Sequence, residues 1–330
     1  MVDSLGNGAT GDANREEVSR GYYGLPVLKT PVWRWEVWGY FFLGGLAAGS
    51  YLIASFAALF GDERDRIVSR VGYLISFAAF LGCPPLLVRD LGRPTRFLNM
   101  LRVFKPESPM SMGVWGLIGF GVCSATSAAL AWWGENAGPL AEIAHLVGRR
   151  RLAAIGSALA AFVGGYTGVL LSVTSVPLWS RSRYLGPAFL ASAVASGVSA
   201  ISLVLSVKGG PPDPTRHKLD RVKVAATLGE AIALAGFVRT TGRAAKPLLA
   251  REQYGRHFLA GVVGLGMVIP LLALAASPPR RGRATAVASL CSLVGGILLR
   301  YAFVEGGRAS AEDPEATFWH TDFPEEKRRR

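Results

Sequence analysis

Apolar residues along this chain neither alternate nor keep to one helical stripe. They fill long runs, separated by short segments rich in Arg, Gly and Pro. Runs of this length match the roughly 17–25 residues a helix needs to cross a bilayer core. Eight such spans are predicted: Val37–Phe60, Ile67–Val88, Met112–Trp133, Leu152–Val173, Tyr184–Val207, Val222–Val238, Phe258–Ala276 and Ala284–Phe303. Backbone polar groups in lipid need internal partners, which continuous helices supply. The short alternating strands of a β-barrel are absent from the pattern. The sixth span is short, with Lys223 at its start and Glu230 in its middle. Lys223 can reach back to the interface along its own stem. With this span the count is even. Both termini then share a side with the longer loops, Arg89–Ser111 and Arg239–His257. Without it the count is seven and the termini are on opposite sides.

The pattern also repeats. Val88-Arg89-Asp90-Leu91-Gly92-Arg93 returns 150 residues later as Val238-Arg239-Thr240-Thr241-Gly242-Arg243. Gly113-Val114-Trp115-Gly116-Leu117 returns 148 residues later as Gly261-Val262-Val263-Gly264-Leu265. Ala47/Ala195 and Gly49/Gly197, in the first and fifth spans, share the offset of 148. An offset of four spans preserves orientation, so the repeat is a parallel one about an axis along the membrane normal. The expected fold is an all-α polytopic membrane protein of eight transmembrane helices, as two parallel-repeat four-helix bundles. The organisation follows: a polar N-terminal segment (1–32), a first bundle (33–173), a second bundle (174–307) and a charged tail (308–330). Residues 1–20 and the tail from about Arg308 are expected to be disordered. Gly45-x-x-x-Gly49 and Gly164-x-x-x-Gly168 provide faces on which helices approach closely.

Composition agrees with a lipid environment. Of 330 residues 50% are hydrophobic and only 18% charged, below the quarter usual for soluble proteins. The net charge of +13 would suggest nucleic acid in a soluble protein. Here the Lys and Arg residues flank apolar runs, where lipid headgroups are the plainer partner, so no nucleic-acid partner is expected. Basic residues divide almost evenly between the two sets of loops, and the positive-inside rule assigns no orientation. The first apolar run is too long for the core of a cleaved signal. Cys83, Cys123 and Cys291 lie in or beside apolar spans without CxxC spacing. Neither a disulfide framework nor a cysteine-ligated cluster is expected.

Few residues offer chemistry. His145, His217 and His320 fall in loops or the tail, and His257 stands alone at a helix entrance. No pair sits at membrane depth, so intrinsic bis-histidine haem is not expected. Arg34 and Glu36 open the first helix, Glu230 sits mid-sixth, and Arg300 and Glu305 close the eighth. A charge at bilayer depth needs a partner, a cavity or neutralisation. Glu230 has two readings, a proton relay or hydrogen-bonded glue between helices. Trp33, Trp35, Trp38 and Tyr40 crowd the first helix entrance. They read as an interfacial aromatic belt, or as the wall of a pocket for a flat quinone ring, with a tyrosine donating to a carbonyl and Glu36 handling protons. Tyr166 on the fourth helix is a further donor, or a core tyrosine satisfied by a backbone carbonyl.

The second loop and its flank are the most specific segment: Arg89-Asp90-Leu91-Gly92-Arg93-Pro94-Thr95-Arg96-Phe97-Leu98-Asn99-Met100-Leu101-Arg102, continuing to Lys105-Pro106-Glu107-Ser108-Pro109-Met110-Ser111-Met112-Gly113. Asp90 among arginines suggests a local ion-pair knot, and the prolines enforce extended turns. From its residues alone this is an ordered cap for a partner, or a headgroup-binding loop. The segment resembles the DLGRPxRFxNMLRxFxPxSPMSxG signature of the NrfD/polysulfide reductase membrane-subunit family. Tyr23-Gly24-Leu25-Pro26, Tyr40 through Gly49, Tyr166 through Ser172, Val176-Pro177-x-Trp179 and Gly295-Gly296 with Arg300-Tyr301 extend the likeness over roughly residues 22–307.

The resemblance implies an eight-helix inner-membrane protein with no cofactor of its own. It would anchor an iron–sulfur subunit, itself docked to a molybdopterin catalytic subunit, and exchange electrons with menaquinone or ubiquinone. It places the quinone at Tyr40 and Tyr166 with Glu36 beside them. Partner docking falls on Arg89, Asp90, Arg93, Pro94, Arg96, Asn99, Ser108, Pro109 and Ser111. Some relatives carry histidine at the position that Tyr40 fills here. Tyrosine still donates a hydrogen bond but does not titrate near pH 7. A proton- or solute-translocating module and a purely structural anchor are the rival expectations.

Overall fold

The computed structural model describes residues 28–92, 104–134, 146–180, 182–207, 213–249, 252–276 and 282–313, with a few isolated positions between them. Helices are its regular elements. Helix α1 spans Trp35–Phe60, and α2 (Arg66–Leu81) continues into α3 (Cys83–Asp90). Then come α4 (Pro109–Trp133), α5 (Arg149–Ser172), the short α6 (Pro177–Ser180), α7 (Leu185–Val207) and α8 (Asp213–Thr241). Two short helices, α9 (Lys246–Leu249) and α10 (Glu252–Arg256), lead to a π-helical stretch, His257–Val268. It continues as α11 (Ile269–Ala276), and α12 (Gly282–Glu312) is the last element.

Among the described residues, seven helices are long and apolar enough to cross a membrane. They correspond to seven of the eight predicted spans. Large apolar side chains face outward, Phe60 at 73% and Leu272 at 63% exposed, as lipid-facing residues must be. The sixth predicted span, within α8, is not among the seven. The polar first turns of α8 and its internal charges lower its mean hydropathy. The helix nonetheless runs 29 residues, about 43 Å at 1.5 Å per residue.

Three boundaries differ from expectation. The second span breaks at Gly82, where Pro84 and Pro85 begin a new helix. A proline tolerates the first turn of a helix but not its interior. The seventh span is wide-wound rather than α-helical in its first half. The last helix does not stop before Arg308. It extends to Glu312 with Ala309, Ser310 and Ala311 buried. Arg308 also pairs with Glu305 at 3.2 Å, so its charge does not end the helix. Residues beyond 313 lie outside those described.

The core forms where α1 and α7 run against each other. Gly49 has no room for a Cβ because the Ala193 carbonyl lies there, and Gly197 packs on the backbone of Gly49 and Ser50. Gly49 and Gly197 are the pair related by the 148-residue offset. So are Gly45 and Ala193, and a Cβ on Gly45 would lie 3.6 Å from that of Ala193. On one side α1 also packs against α2 and α5, and on the other α7 packs against α8 and α12. Hydroxyls tie the first half together. Tyr51 meets Ser127 at 3.0 Å, Ser55 meets Tyr73 at 3.1 Å and Ser76 meets Ser124 at 2.9 Å. Trp179 of α6 is fully buried, donates to the Phe303 carbonyl at 2.9 Å and stacks on Trp33 at 5.0 Å. That contact fastens the entrance of α1 to α12.

Candidate functional site

A cavity of about 150 Å³ opens between α1, α3, α4 and α5. Its walls are mostly apolar, with Trp33, Phe41, Leu87 and Leu117 among them, and Tyr40 and Tyr166 enter it from α1 and α5. Two glycines make the space. Gly44 lines the wall on α1, and Gly113 lets the Tyr166 ring lie directly against α4, where a Cβ would collide with it.

The Tyr166 hydroxyl donates to the carbonyl of Pro109, and its ring packs on Phe162 with centroids 5.3 Å apart. The Tyr166 hydroxyl is thus satisfied by a backbone carbonyl, and the anchored side chain lines the cavity. Pro109 opens α4. The Ser108 side chain accepts from the Ser111 amide at 3.5 Å, and the Ser111 hydroxyl accepts from the Lys105 amide at 2.9 Å. Ser108, Pro109 and Ser111 thus build the helix start that carries Tyr166's acceptor. A cap residue of this kind satisfies backbone donors left open in a first turn.

Glu36 lies one turn before Tyr40 on α1, only 6% exposed. Its Oε1 accepts from Arg89 Nε at 3.1 Å, and its Oε2 is buried without a hydrogen-bond partner. The arginine is well exposed, at 68% of its side chain, and its guanidinium lies 5.5 Å over the Trp35 ring. The expected knot around Asp90 is redrawn here, since Arg89 pairs with Glu36 while Asp90 lines the cavity. Asp90 and Leu91 at one end of the second loop, and Met110 at the other, all line the cavity. The loop's two ends therefore sit beside the site. Asn99 is helical and exposed, and Arg93, Pro94 and Arg96 lie outside the described residues.

Glu230 is elsewhere, buried in the second half on α8 beside Ser192 of α7 and within electrostatic reach of Arg300 of α12. His217, expected in a loop, lies inside α8, whose polar first turns begin at Asp213, and His257 packs on Tyr301 with centroids 5.2 Å apart at the entrance of the π-helical stretch. Cys83 lines the cavity and its thiol points to the Tyr40 carbonyl at 3.9 Å. Hydropathy does not mark Cys83, Gly44, Gly113 or Thr167, all of which line the cavity. Gly113 closes the loop signature, and Gly44 and Thr167 fall in the helix segments that carry the family likeness, the signal that could have found them; Cys83 has none.

Comparison with known proteins agrees with the loop signature. The family described as "Polysulphide reductase, NrfD" matches residues 27–311. The protein is 31% identical to the C subunit of polysulfide reductase from Wolinella succinogenes over 277 residues, 77% of the present sequence and 86% of that subunit. It is 26% identical to protein NrfD of Escherichia coli over 303 residues, 84% of the present sequence and 95% of that protein. The multi-pass helical architecture, the loop signature and this match across most of the sequence agree: the chain belongs to the NrfD, polysulphide reductase, family of membrane proteins.

Proposed function

We propose that this protein is the quinone-interacting membrane subunit of an oxidoreductase complex in the inner membrane. The quinone, menaquinone or ubiquinone, binds in the cavity between α1, α3, α4 and α5. One observation carries the reading. An apolar, ring-walled cavity holding two tyrosines lies against both ends of the loop that bears the family signature. Flat apolar walls and one or two polar groups are what a quinone headgroup needs. Electrons pass to or from an iron–sulfur subunit seated on the second loop, and that subunit serves a molybdopterin catalytic subunit. Placing the wire over the cavity keeps the transfer distance short. Tyr40 and Tyr166 hold the quinone carbonyls, the Tyr166 hydroxyl turning its single proton from the Pro109 carbonyl to the quinone, and Glu36 with Asp90 supplies carboxylates beside them for proton transfer.

The same reading takes α8 as an eighth crossing and the two halves as related bundles. Leu228 and Ile232, 48% and 71% exposed, face outward from α8 while Glu230 faces inward. The contacts Gly229–Ala191 and Gly236–Tyr184 keep α8 antiparallel to α7. The offset pairs that meet between α1 and α7 support the duplication.

The test is Tyr166→Phe in the intact complex. Loss of a hydrogen-bond donor worth about 1.4 kcal/mol should slow quinone-coupled turnover roughly tenfold. Turnover of the catalytic partner with a soluble dye should stay unchanged. Unaltered quinone kinetics would remove Tyr166 from the site.

A further inference from the structure

The second half carries a polar seam with no counterpart in the cavity. On α8 the residues Arg216, Asp220, Lys223, Thr227 and Glu230 recur at alternating steps of four and three. That spacing holds one face of a helix. On α7, Ser192, Ser199 and Ser206 recur every seven residues, with Ser196 and Ser202 beside them. On α12 Thr285, Ser289 and Ser292 lead by steps of four, three, four and four to Gly296 and Arg300. Both α8 and α12 pack against α7.

Contacts join the stripes along their length. At one end Ser202, Ser206, Arg216, Asp220 and Thr285 line a cavity of about 10 Å³. That is room for about one water, with enough polar partners to hold it. Deeper in, Lys223 is 1% exposed and donates to Ser289 at 2.8 Å. At the far end Arg300, also 1% exposed, donates to Ser192 and to the Gly296 carbonyl at 3.0 Å. Glu230 lies beside Ser192. Between these ends the hydroxyls of Ser199 and Thr227, at 0% and 1% exposure, are buried without hydrogen-bond partners. So is Nε of Arg300. Buried polar groups are otherwise nearly always paired, directly or through water.

The direction of the seam follows from the helices. Ser206 lies at the end of α7 that α1 reaches at Phe60, because α1 and α7 run parallel. The cavity that holds Tyr40 and Tyr166 is at the opposite ends of these helices. From Ser206 to Ser192 is 14 residues, about 21 Å along the axis. Arg300 then stands directly behind that cavity. Gly44 lines it, while a Cβ on the next residue, Gly45, would lie 2.9 Å from Arg300 Nη2.

We propose that this seam is a proton path between the membrane face opposite the second loop and the wall of the quinone cavity. Along it the charges alternate: Asp220, Lys223, Glu230, Arg300. Each ionised group thus has an opposite neighbour, which offsets its cost in a low dielectric. Hydroxyls bridge the intervals. The two cations and the single-water mouth disfavour a metal ion or an organic solute and leave the proton as cargo. The inference rests on the quinone reading, since quinone chemistry gives the path something to serve. Quinol oxidation releases two electrons to the iron–sulfur subunit and two protons into the path. Quinone reduction takes up two of each in reverse. Turnover would then move charge across the membrane.

The intact complex in proteoliposomes, with a pH dye in the lumen and a short-chain quinol or quinone outside, tests this. The wild type should change pH on the face bearing Asp220, by two protons per turnover. Glu230→Gln should lower coupled turnover and that pH change at least tenfold while binding a competing quinone analogue as the wild type does. Thr227→Val keeps volume and removes an unpartnered hydroxyl, so it tests the path even if the Gln variant fails to assemble. A threefold or greater loss is expected from it. Proton exchange confined to the second-loop face, or wild-type proton counts and rates in both variants, would overturn the path alone. Failure of the wild-type complex to bind any quinone analogue would instead overturn the quinone reading on which the path depends.

Discussion

At the residue scale the site is asymmetric, and the asymmetry is testable. Glu36 is buried and Arg89 is exposed, although they form one ion pair. Removing the arginine leaves a buried carboxylate with no partner for either oxygen. Removing the charge of Glu36 leaves an arginine that water solvates at once. An exposed partner adds little by itself, whereas an unsatisfied buried group costs about 1–3 kcal/mol. Arg89→Ala should therefore lower the melting temperature of the detergent-solubilised protein by several degrees more than Glu36→Gln does. Equal shifts would mean that Glu36 reaches water. Tyr166 teaches a related point. From sequence its hydroxyl reads as pocket donor or as structural tie. In the fold its one proton goes to Pro109, and that tie holds the ring at the cavity wall, so donating to a ligand there means releasing Pro109.

At the element scale the decisive contact is the crossing of α1 and α7. Two helix backbones touch there because Gly49 and Gly197 carry no side chains. In lipid, close van der Waals packing rather than a hydrophobic drive holds helices together. A methyl group at this point has backbone, not a movable side chain, to displace. Gly49→Ala should cost more than about 3 kcal/mol, beyond a typical overpacking penalty, and abolish accumulation of folded protein. Gly165→Ala is the control, because its Cβ would meet nothing nearer than 3.7 Å. It should be tolerated, and it brings the better helix propensity of alanine. Melting curves and yields of the two variants decide the matter, and comparable behaviour would refute the close crossing. The π-helical stretch belongs to this scale too. Its wide winding brings Gly266 against Gly295, so the last two long helices meet on backbone as well.

At the scale of the whole molecule the question is which ends share a membrane face. If α8 crosses, Lys246 lies on the face of Glu107 and opposite Arg64. In a background without the native cysteines, Lys246→Cys and Glu107→Cys should react with an impermeant thiol reagent from one side, and Arg64→Cys from the other. Labelling of Lys246→Cys from the Arg64 side would return the count to seven. The spans themselves were legible in the sequence because hydropathy is a local property: the bilayer rewards an apolar run wherever it occurs, and α1, α4, α5 and α7 end within a few residues of where their runs end. The small residues at Gly49 and Gly197 were legible for a similar reason, since a close helix crossing leaves room for nothing larger. Hidden from the sequence were the partners. That Asp90 faces a cavity while Arg89 turns to Glu36, that Gly113 makes room for Tyr166, that Ser289 on α12 meets Lys223, and that Ser192 on α7 meets Glu230 and Arg300 are facts of packing between residues tens to hundreds of positions apart. Local composition decides that a segment becomes a helix in lipid, but the rotation and depth at which helices meet are decided only when their side chains compete for the same space.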